Sequence, residues 1–556
     1  MRKTIIAVLV LALLAAGVWM GLPAYRAYKE KRFAAQAGEA WLRKEHRKAL
    51  LSARQALVLN SNNLVATRVM ADLADLSRSP QAIVWRRRIA EIEPSLENQT
   101  AFALCTLRYE QPPFALASRL FKDLAAAEGV SNTIPFQLVG AQLALKQNRI
   151  ADAEHHFEQA IRLEPTNELH RLNLAVVRLE SKDAVVSARA RSELERLQSV
   201  PPWSGLALRA LVAHHASRRQ FAEAEGYSTS LLRATNAMFA DKLEHLSILH
   251  GAKNPAFNQF LETTQRDAAT NALHASDLVT RMAALGLPAE AIAWTKTLPA
   301  TVENELPLPV AVADCYLATK QWRELEQWLT KQQWRERDFL RKALLAYAVR
   351  QQNVERVAAT HWNEATQLAS ERPELTLMLA QLSSNWRWTN ETEALLWRAA
   401  KQFPQERWPL ESLQGNYARL RRTSGLFDVC TLMLERQPTN VVVQNNWANL
   451  AFLLNTNVAR AHQLARQVYE RGTNNFAFVS TYAWSLHLQG KTAEALQIME
   501  TLKPAELENP SVASYYGALL AASGQGEKAR RYLAKAETAA ILPEELSLVT
   551  AARKQL

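Results

Sequence analysis

Glycine is scarce in this chain: only 16 of the 556 residues are glycine, or about 3%, against roughly 7% in average proteins. Residues that favour helices, chiefly alanine, leucine, glutamate, glutamine and arginine, are abundant throughout. Few glycines leave little material for sheets and their tight turns, so the composition predicts an all-α chain. Because an ordinary domain has about 100–200 residues, this length and composition favour one extended array of repeats.

Cysteine is also rare, and its placement excludes two classes of site. Cys105, Cys315 and Cys430 are far apart in the sequence and odd in number. This pattern excludes a disulfide framework and a paired-cysteine metal motif. We therefore predict that the three side chains fill small spaces in the core.

Motifs of catalysis and of metal or nucleotide binding are missing as well. The sequence contains no HExxH zinc motif and no GxSxG nucleophile elbow. The segment GKT at residues 490–492 lacks the earlier glycine of a phosphate-binding loop, because Ser485 stands at that position. Adjacent histidines such as His155 and His156 point to different sides of a helix instead of to one metal ion. The chain is predicted to be no enzyme and to hold no catalytic residue, cofactor or metal.

The sequence repeats itself near its C-terminus, at a spacing of about 34 residues. The segments YAWSLHLQGKTAEALQIM and YGALLAASGQGEKARRYL align Gly490 with Gly524 and Ala495 with Ala529. Each segment reads as a helix, a short turn that contains the glycine, and a second helix. A glycine at such a turn permits the positive φ that ends the first helix. Apolar residues at helical spacing would pack against the next pair, so each repeat depends on its neighbours for stability.

The residues at these positions resemble the tetratricopeptide repeat (TPR) family, in a membrane-anchored form of bacterial type. Residues 134–167 carry the small, aromatic and proline residues of the TPR signature in the expected order: Ala141, Ala153, Phe157, Ala160 and Pro165. The resemblance implies an α-solenoid of stacked helix–turn–helix repeats, about 15 in residues 33–556. It assigns TPR-like repeats to residues 33–236, degenerate helical repeats to residues 237–410 and TPR-like repeats to residues 411–556.

Degenerate copies of the repeat fill the middle of the chain. Ala291 and Leu325 are separated by the same spacing as the aligned glycines near the C-terminus. The stretches near residues 237–270 and 335–372 lack clear anchor residues, so the sequence leaves the exact number of repeats open.

An uninterrupted apolar run, Ile5–Leu22, precedes the repeats. As a helix with a rise of about 1.5 Å per residue, it would nearly span the hydrocarbon core of a membrane. Trp19, Tyr25 and Tyr28 stand where aromatic side chains meet the membrane interface, and basic residues follow. We predict a membrane anchor with its basic flank in residues 1–32, the transmembrane helix being at about residues 5–22. The alternative is a cleaved signal peptide, which the lack of a clear A-x-A cleavage site disfavours.

The formal charge of +12 is concentrated beside that apolar run. The segment 1–32 holds six basic residues and one acidic residue, a net charge of +5 that leaves +7 for the rest. The array itself is therefore only mildly basic, which disfavours nucleic acid as a partner. Basic residues flank the run on both sides, so the charge rule for topology is nearly balanced. The short tail before the run favours an array on the extracytoplasmic (periplasmic) side, and the stronger basic segment after it favours the cytoplasmic alternative.

The TPR resemblance also implies where a partner would bind. In that family the first helices of successive repeats line a concave groove, and the corresponding positions of the C-terminal copies are Asn416, Arg419, Asn445, Asn449 and Trp484. Amides, an arginine and a tryptophan suit an extended peptide, which needs hydrogen-bond partners for its backbone and an aromatic wall for its side chains. The alternative is that the asparagines only cap or solvate the start of a helix.

Together these features predict a membrane-anchored TPR scaffold that mediates protein–protein interactions or complex assembly at the membrane or cell envelope. The expected partners are other proteins or peptide segments in the groove, and the membrane through residues 5–22. A regulatory subunit of an envelope enzyme complex is the first alternative, and an RNA-binding helical-repeat protein is the second.

Overall fold

A computed structural model describes residues 24–77 and 79–556 of the chain. Every regular element in these two ranges is a helix, which confirms the all-α prediction for them. The predicted anchor at residues 5–22 lies outside the described residues. Among the helices that are described, none is both long and apolar enough to span a bilayer.

The packing of the chain separates it into two compact units. One unit extends to Ala311 and the other runs from Val312 to Leu556. This division falls inside the segment at residues 237–410 that the sequence predicts to hold degenerate repeats.

The described part of the first unit contains seventeen helices and one 3-10 turn at Val130–Asn132. The helices are α1 (residues 24–42), α2 (His46–Leu59), α3 (Leu64–Leu76), α4 (Ala82–Ile92), α5 (Leu96–Tyr109), α6 (Ala115–Ala126), α7 (Ile134–Lys146), α8 (Ile150–Leu163), α9 (Glu168–Leu179), α10 (Ala184–Leu197), α11 (Ser204–Ser217), α12 (Phe221–Arg233), α13 (Phe239–Gly251), α14 (Phe257–Ala268), α15 (Ala272–Ala284), α16 (Pro288–Thr295) and α17 (Ala300–Glu303).

Helix α18 (Leu308–Thr319) contains the division between the units, and a second 3-10 turn lies at Arg335–Arg337. The helices of the second unit are α19 (Trp322–Lys331), α20 (Asp338–Gln351), α21 (Glu355–Leu368), α22 (Pro373–Asn385), α23 (Thr389–Gln402), α24 (Trp408–Leu420), α25 (Thr423–Arg436), α26 (Val441–Leu453), α27 (Val458–Arg471), α28 (Phe476–Leu488), α29 (Thr492–Met499), α30 (Pro504–Leu507), α31 (Pro510–Ala522), α32 (Gly526–Glu537) and α33 (Pro543–Arg553).

The helices follow one another as pairs joined by short turns. Apart from the one-turn helices α17 and α30 and the last helix α33, the described residues contain fifteen consecutive pairs. A turn this short makes the two helices of a pair antiparallel. The prediction of helix–turn–helix repeats, about 15 in number, is therefore confirmed in the described part of the chain.

A residue with positive φ marks the turn inside most of these pairs. Gly490 and Gly524 both have a φ of 80°, as the repeat predicts. From residue 219 onwards such a residue recurs every 33–35 residues: Arg219, Lys253, Gly286, Lys320, Asn353, Arg387, Arg421, Asn455, Gly490 and Gly524. The stretches near residues 237–270 and 335–372 therefore follow the same repeat, although their sequences lack its anchor residues.

Small side chains fill the contacts between paired helices. Ala495 and Ala529, aligned by the repeat, are both fully buried. Cys105, Cys315 and Cys430 are free and buried, as predicted. Burial raises the pKa of each thiol to about 11, so all three stay protonated at neutral pH.

Candidate protein-binding groove

An open groove lies between α22 and α24, the first helices of two consecutive pairs in the second unit. Both helices carry a proline in their first turn, Pro373 and Pro409, where the missing N–H would have no partner within the helix. Leu379 of α22 and Leu413 of α24 are buried. Short polar residues, Ser384 of α22 and Ser412 and Asn416 of α24, line the space between the two helices.

The groove contains two adjoining cavities of about 590 Å³ and about 460 Å³. Ser384 of α22, Thr392 of α23 and Asn416 of α24 line both cavities. Arg419 lines the larger one. Two of the five predicted partner-binding residues, Asn416 and Arg419, therefore lie together on an open surface.

One wall of the larger cavity is held in place by a hydrogen-bond network around Tyr417. The Tyr417 hydroxyl donates to the carboxylate of Glu393 at 2.5 Å and accepts from the indole N–H of Trp397 at 3.0 Å. Arg422 forms an ion pair with the same carboxylate at 3.2 Å. Burial, and then the hydrogen bond to Glu393, raises the pKa of Tyr417 to about 12, so its hydroxyl remains a donor at neutral pH. Glu393 is thus already engaged within the chain.

The cationic side chains of the larger cavity, by contrast, are unengaged. Among the described residues, Arg387 and Arg419 have no hydrogen-bond or ion-pair partner for their guanidinium groups, and the amide of Asn416 has none. Arg387 occupies the positive-φ position of the turn between α22 and α23, with a φ of 61°. The cavity therefore presents two free guanidinium groups and one free amide to solvent, which suits carboxylate and carbonyl oxygens.

Sequence reasoning missed Arg387 because it lies between two tryptophans that pack inside the unit. Trp388 is buried, and the guanidinium of Arg350 lies 4.0 Å above its ring. Trp386 contacts the ring of Tyr347 at a centroid distance of 4.6 Å. The structure identifies Arg387 as a turn residue, one repeat before Arg421, but an arginine at this position does not mark a turn in the sequence.

The other three predicted partner-binding residues do not line this groove: Asn445 and Trp484 are buried, and Asn449 is hydrogen-bonded within the chain. Asn445 is 3% exposed and Trp484 is 5% exposed. The Trp484 ring lies against Tyr515 at a centroid distance of 5.3 Å. The side-chain oxygen of Asn449 accepts a hydrogen bond of 2.8 Å from the Tyr515 hydroxyl. In this conformation Trp484 and Asn449 contact the protein's own residues, whereas the buried side-chain oxygen of Asn445 has no hydrogen-bond partner in the described part of the chain.

The last helix, α33, packs on α31, the helix that carries Tyr515. Glu545 is 2% exposed, and its carboxylate accepts a hydrogen bond of 2.9 Å from the backbone N–H of Leu542. Burial raises the pKa of Glu545, and burial together with the Glu545 charge raises the pKa of Tyr515 well above its usual range. The neighbouring carboxylate, Glu544, accepts a hydrogen bond from the hydroxyl of Thr423 at the start of α25. Helix α33 therefore connects α31 to a helix more than 100 residues earlier in the sequence.

The adjacent histidines noted in the sequence have separate partners. His156 is hydrogen-bonded to Gln137 at 2.7 Å. His214 contacts Glu180 at 2.8 Å, whereas His215 contacts Gln220 at 2.9 Å. In residues 24–77 and 79–556, no three His, Cys, Asp or Glu side chains are grouped so that they could hold a metal ion.

Comparison with known proteins finds similarity only among solved structures. No family model matches the chain, and no curated protein sequence matches it. The chain is similar to a chain in the crystal structure of the APC/C hetero-tetramer Cut9–Hcn1, at 11% identity over 93% of this chain and 99% of that one, with a TM-score of 0.27. It is also similar to a chain in the structure of Naa15/Naa10 bound to HypK-THB, at 13% identity over 95% of this chain and 78% of that one, with a TM-score of 0.25. At these identities the likeness concerns the fold alone.

Proposed function

We propose that this protein is a membrane-anchored scaffold whose groove between α22 and α24 binds an extended, acidic segment of another protein. The observation that carries this proposal is the pair of unengaged guanidinium groups, Arg387 and Arg419, beside the free amide of Asn416. An array of consecutive helix pairs supports a binding role, because it leaves an open groove between the first helices of neighbouring pairs.

The polar groups of the groove support an extended segment as the ligand. An extended backbone offers carbonyl oxygens and N–H groups that a helix would bond internally, and an amide such as that of Asn416 can satisfy both. Acidic side chains on the segment would pair with the guanidinium groups, which bind carboxylates through two parallel hydrogen bonds. Because Glu393 is bonded to Tyr417 and Arg422, it would compete little for those arginines.

The membrane anchor in this proposal rests on the apolar run Ile5–Leu22 and on the aromatic and basic residues that follow it. We place the array on the extracytoplasmic side, on the evidence of the short tail before the run. A reporter that is active only outside the cytoplasm, fused after Leu556, should then be active. If instead a reporter that is active only in the cytoplasm shows activity when it is fused at the same position, the array lies on the cytoplasmic side.

Photo-crosslinking in cells tests the groove directly. A photoreactive phenylalanine analogue at Asn416, in the full-length chain, should form adducts with a defined protein. The same analogue at Leu368, which is 53% exposed on α21 in the same unit, is the control for random encounters. Identification of the adducts by mass spectrometry would name the partner.

Gly415 offers a matched pair of variants for the same assay. It lines the smaller cavity, and a Cβ atom at this position would have no neighbour within 4 Å. Gly415→Trp should fill the cavity and abolish the Asn416 adduct, whereas Gly415→Ala should leave it intact. Adducts that match those of the Leu368 control, or that persist in Gly415→Trp, would contradict binding in this groove.

The charge of the partner is tested by the double variant Arg387→Gln, Arg419→Gln. A hydrogen bond to a charged group contributes roughly 1.5–3 kcal/mol, so losing the bonds of both arginines should weaken partner binding at least tenfold.

In the crosslinking experiment, adducts that contain RNA instead of protein would favour the nucleic-acid alternative.

A further inference from the structure

The outward face of α2 combines basic and aliphatic side chains. Four residues at helical spacing share this face: Arg47, Leu51, Arg54 and Val58. Leu51 is 53% exposed and Val58 is 86% exposed. The opposite face of α2 consists of buried alanines and a buried serine that pack in the first unit. The aliphatic residues of the outward face therefore have no place in the core of this unit.

The positive charge of the protein is concentrated on these first two helices. Residues 24–60 contain nine basic and three acidic residues, a net charge of +6, which is half of the total of +12. All three acidic residues are engaged: Glu39 pairs with Arg43 at 3.8 Å, Glu45 pairs with Lys48 at 3.0 Å, and Glu30 is bonded to asparagines. Among the described residues, Arg47 and Arg54 have no carboxylate partner.

Contacts of Glu30 place the end of α2 beside the beginning of α1. The Glu30 carboxylate accepts hydrogen bonds from the side-chain amides of Asn60 at 2.9 Å and Asn63 at 2.7 Å. Helix α1 is described from residue 24, two positions after the apolar run that ends at Leu22. Glu30 follows Leu22 by eight residues, so the end of α2, which includes Val58, lies near the segment through which the chain would leave the membrane.

We infer that the outward face of α2 lies against an anionic membrane surface, with its arginines at the lipid phosphates and Leu51 and Val58 inserted among the headgroups. This inference rests on the proposed anchor at residues 5–22. Basic residues attract anionic lipids only within about a Debye length, about 10 Å at 0.1 M salt, and the anchor would keep the protein at the membrane, where this face can come within that range. Exposed aliphatic side chains between the cations would add apolar burial, as in helices that lie in the membrane interface.

A fluorescent label beside this face tests the contact in the full-length chain. Gln55 is exposed on α2 next to the four residues, so Gln55→Cys leaves them unchanged. The three native cysteines are buried, so an environment-sensitive dye should react with the new thiol alone. The labelled protein is placed in nanodiscs of phosphatidylcholine, either alone or with about one third of the lipid replaced by anionic phosphatidylglycerol. Quenching by acrylamide, which is uncharged, then reports the exposure of the dye to water.

In anionic nanodiscs we expect quenching of the dye on the Gln55→Cys variant to fall at least twofold relative to nanodiscs of phosphatidylcholine alone. The effect should be lost in 1 M salt and in the double variant Arg47→Glu, Arg54→Glu. A dye introduced by Val185→Cys, at a site 58% exposed on α10 of the same unit, should show no such change. Equal quenching in the two lipids would overturn the inference. Failure of the chain to enter nanodiscs at all would instead overturn the anchor.

Discussion

Two glycines inside helices of the second unit should respond oppositely to replacement by alanine. Gly517 lies in α31, where an added Cβ would meet Leu533 Cδ2 at 2.7 Å and the Leu533 backbone nitrogen at 3.2 Å. Gly415 lies in α24, where an added Cβ would meet nothing within 4 Å. The two positions share a conformation and differ in their surroundings, so each variant is the control for the other.

The expected magnitudes follow from two terms. Replacing glycine by alanine within a helix stabilises it by roughly 0.5–1 kcal/mol. Gly415→Ala should gain this amount. At residue 517 the side chain of Leu533 can turn away but its backbone nitrogen cannot do so cheaply, and overpacking of this kind costs about 1–3 kcal/mol. Gly517→Ala should therefore be less stable than Gly415→Ala by about 1–3 kcal/mol.

Urea unfolding followed by circular dichroism, together with hydrogen exchange resolved to peptides, measures both effects. Exchange is needed because repeat arrays can open locally before they unfold as a whole. Peptides of α31 and α32 should exchange faster in Gly517→Ala, and peptides of α24 should exchange more slowly in Gly415→Ala. Equal stability of the two variants would refute the close packing of α31 on α32.

Three further predictions concern turns and titrating groups. Lys320 has a φ of 55°, a backbone conformation that disfavours a side chain. Lys320→Gly should therefore raise the urea midpoint and increase the free energy of unfolding by about 1 kcal/mol. An unchanged or lower midpoint would argue against strain at this turn. Burial raises the folded-state pKa of Glu545, so its contribution to stability is present below the unfolded pKa and lost as pH rises through the folded pKa. Glu545→Gln should therefore slow hydrogen exchange of α33 at pH 7–8, and faster exchange there would contradict this account. Burial lowers the pKa of five histidines, His156, His215, His245, His462 and His487. Melting temperatures measured from pH 7.5 to 5 should therefore fall as the pH drops below about 6.5. A melting temperature that does not change with pH would contradict their burial.

The repeat could be predicted from the sequence where its turn residue is glycine. Gly490 and Gly524 mark the turn openly, because glycine reaches positive φ without a steric penalty. In the middle of the chain residues such as Lys253 and Asn353 adopt the same backbone conformation, but these residue types do not by themselves predict a turn. The packing of each helix pair on its neighbours imposes the turn there, and a single sequence does not display that packing.

The candidate site was predictable only in part, for a similar reason. Asn416 and Arg419 were assigned to an open surface, and the structure places them in the groove. Trp484 was assigned to the same surface, yet it packs against Tyr515. The Tyr515 hydroxyl bonds to Asn449, 66 residues earlier in the chain, and local sequence patterns carry no information about such a distant contact.

The hydrogen bond between Thr423 and Glu544 also bears on how the protein is made. Most helices here pack on neighbours in sequence, so each pair can pack on the preceding pair soon after it leaves the ribosome. Thr423 is different, since its partner is synthesised 121 residues later. At a translation rate of about 5–20 residues per second, this interval lasts about 6–24 seconds. During that time the start of α25 lacks its contact with α33, so chaperones or the protein partner itself could reach a surface that the finished chain covers.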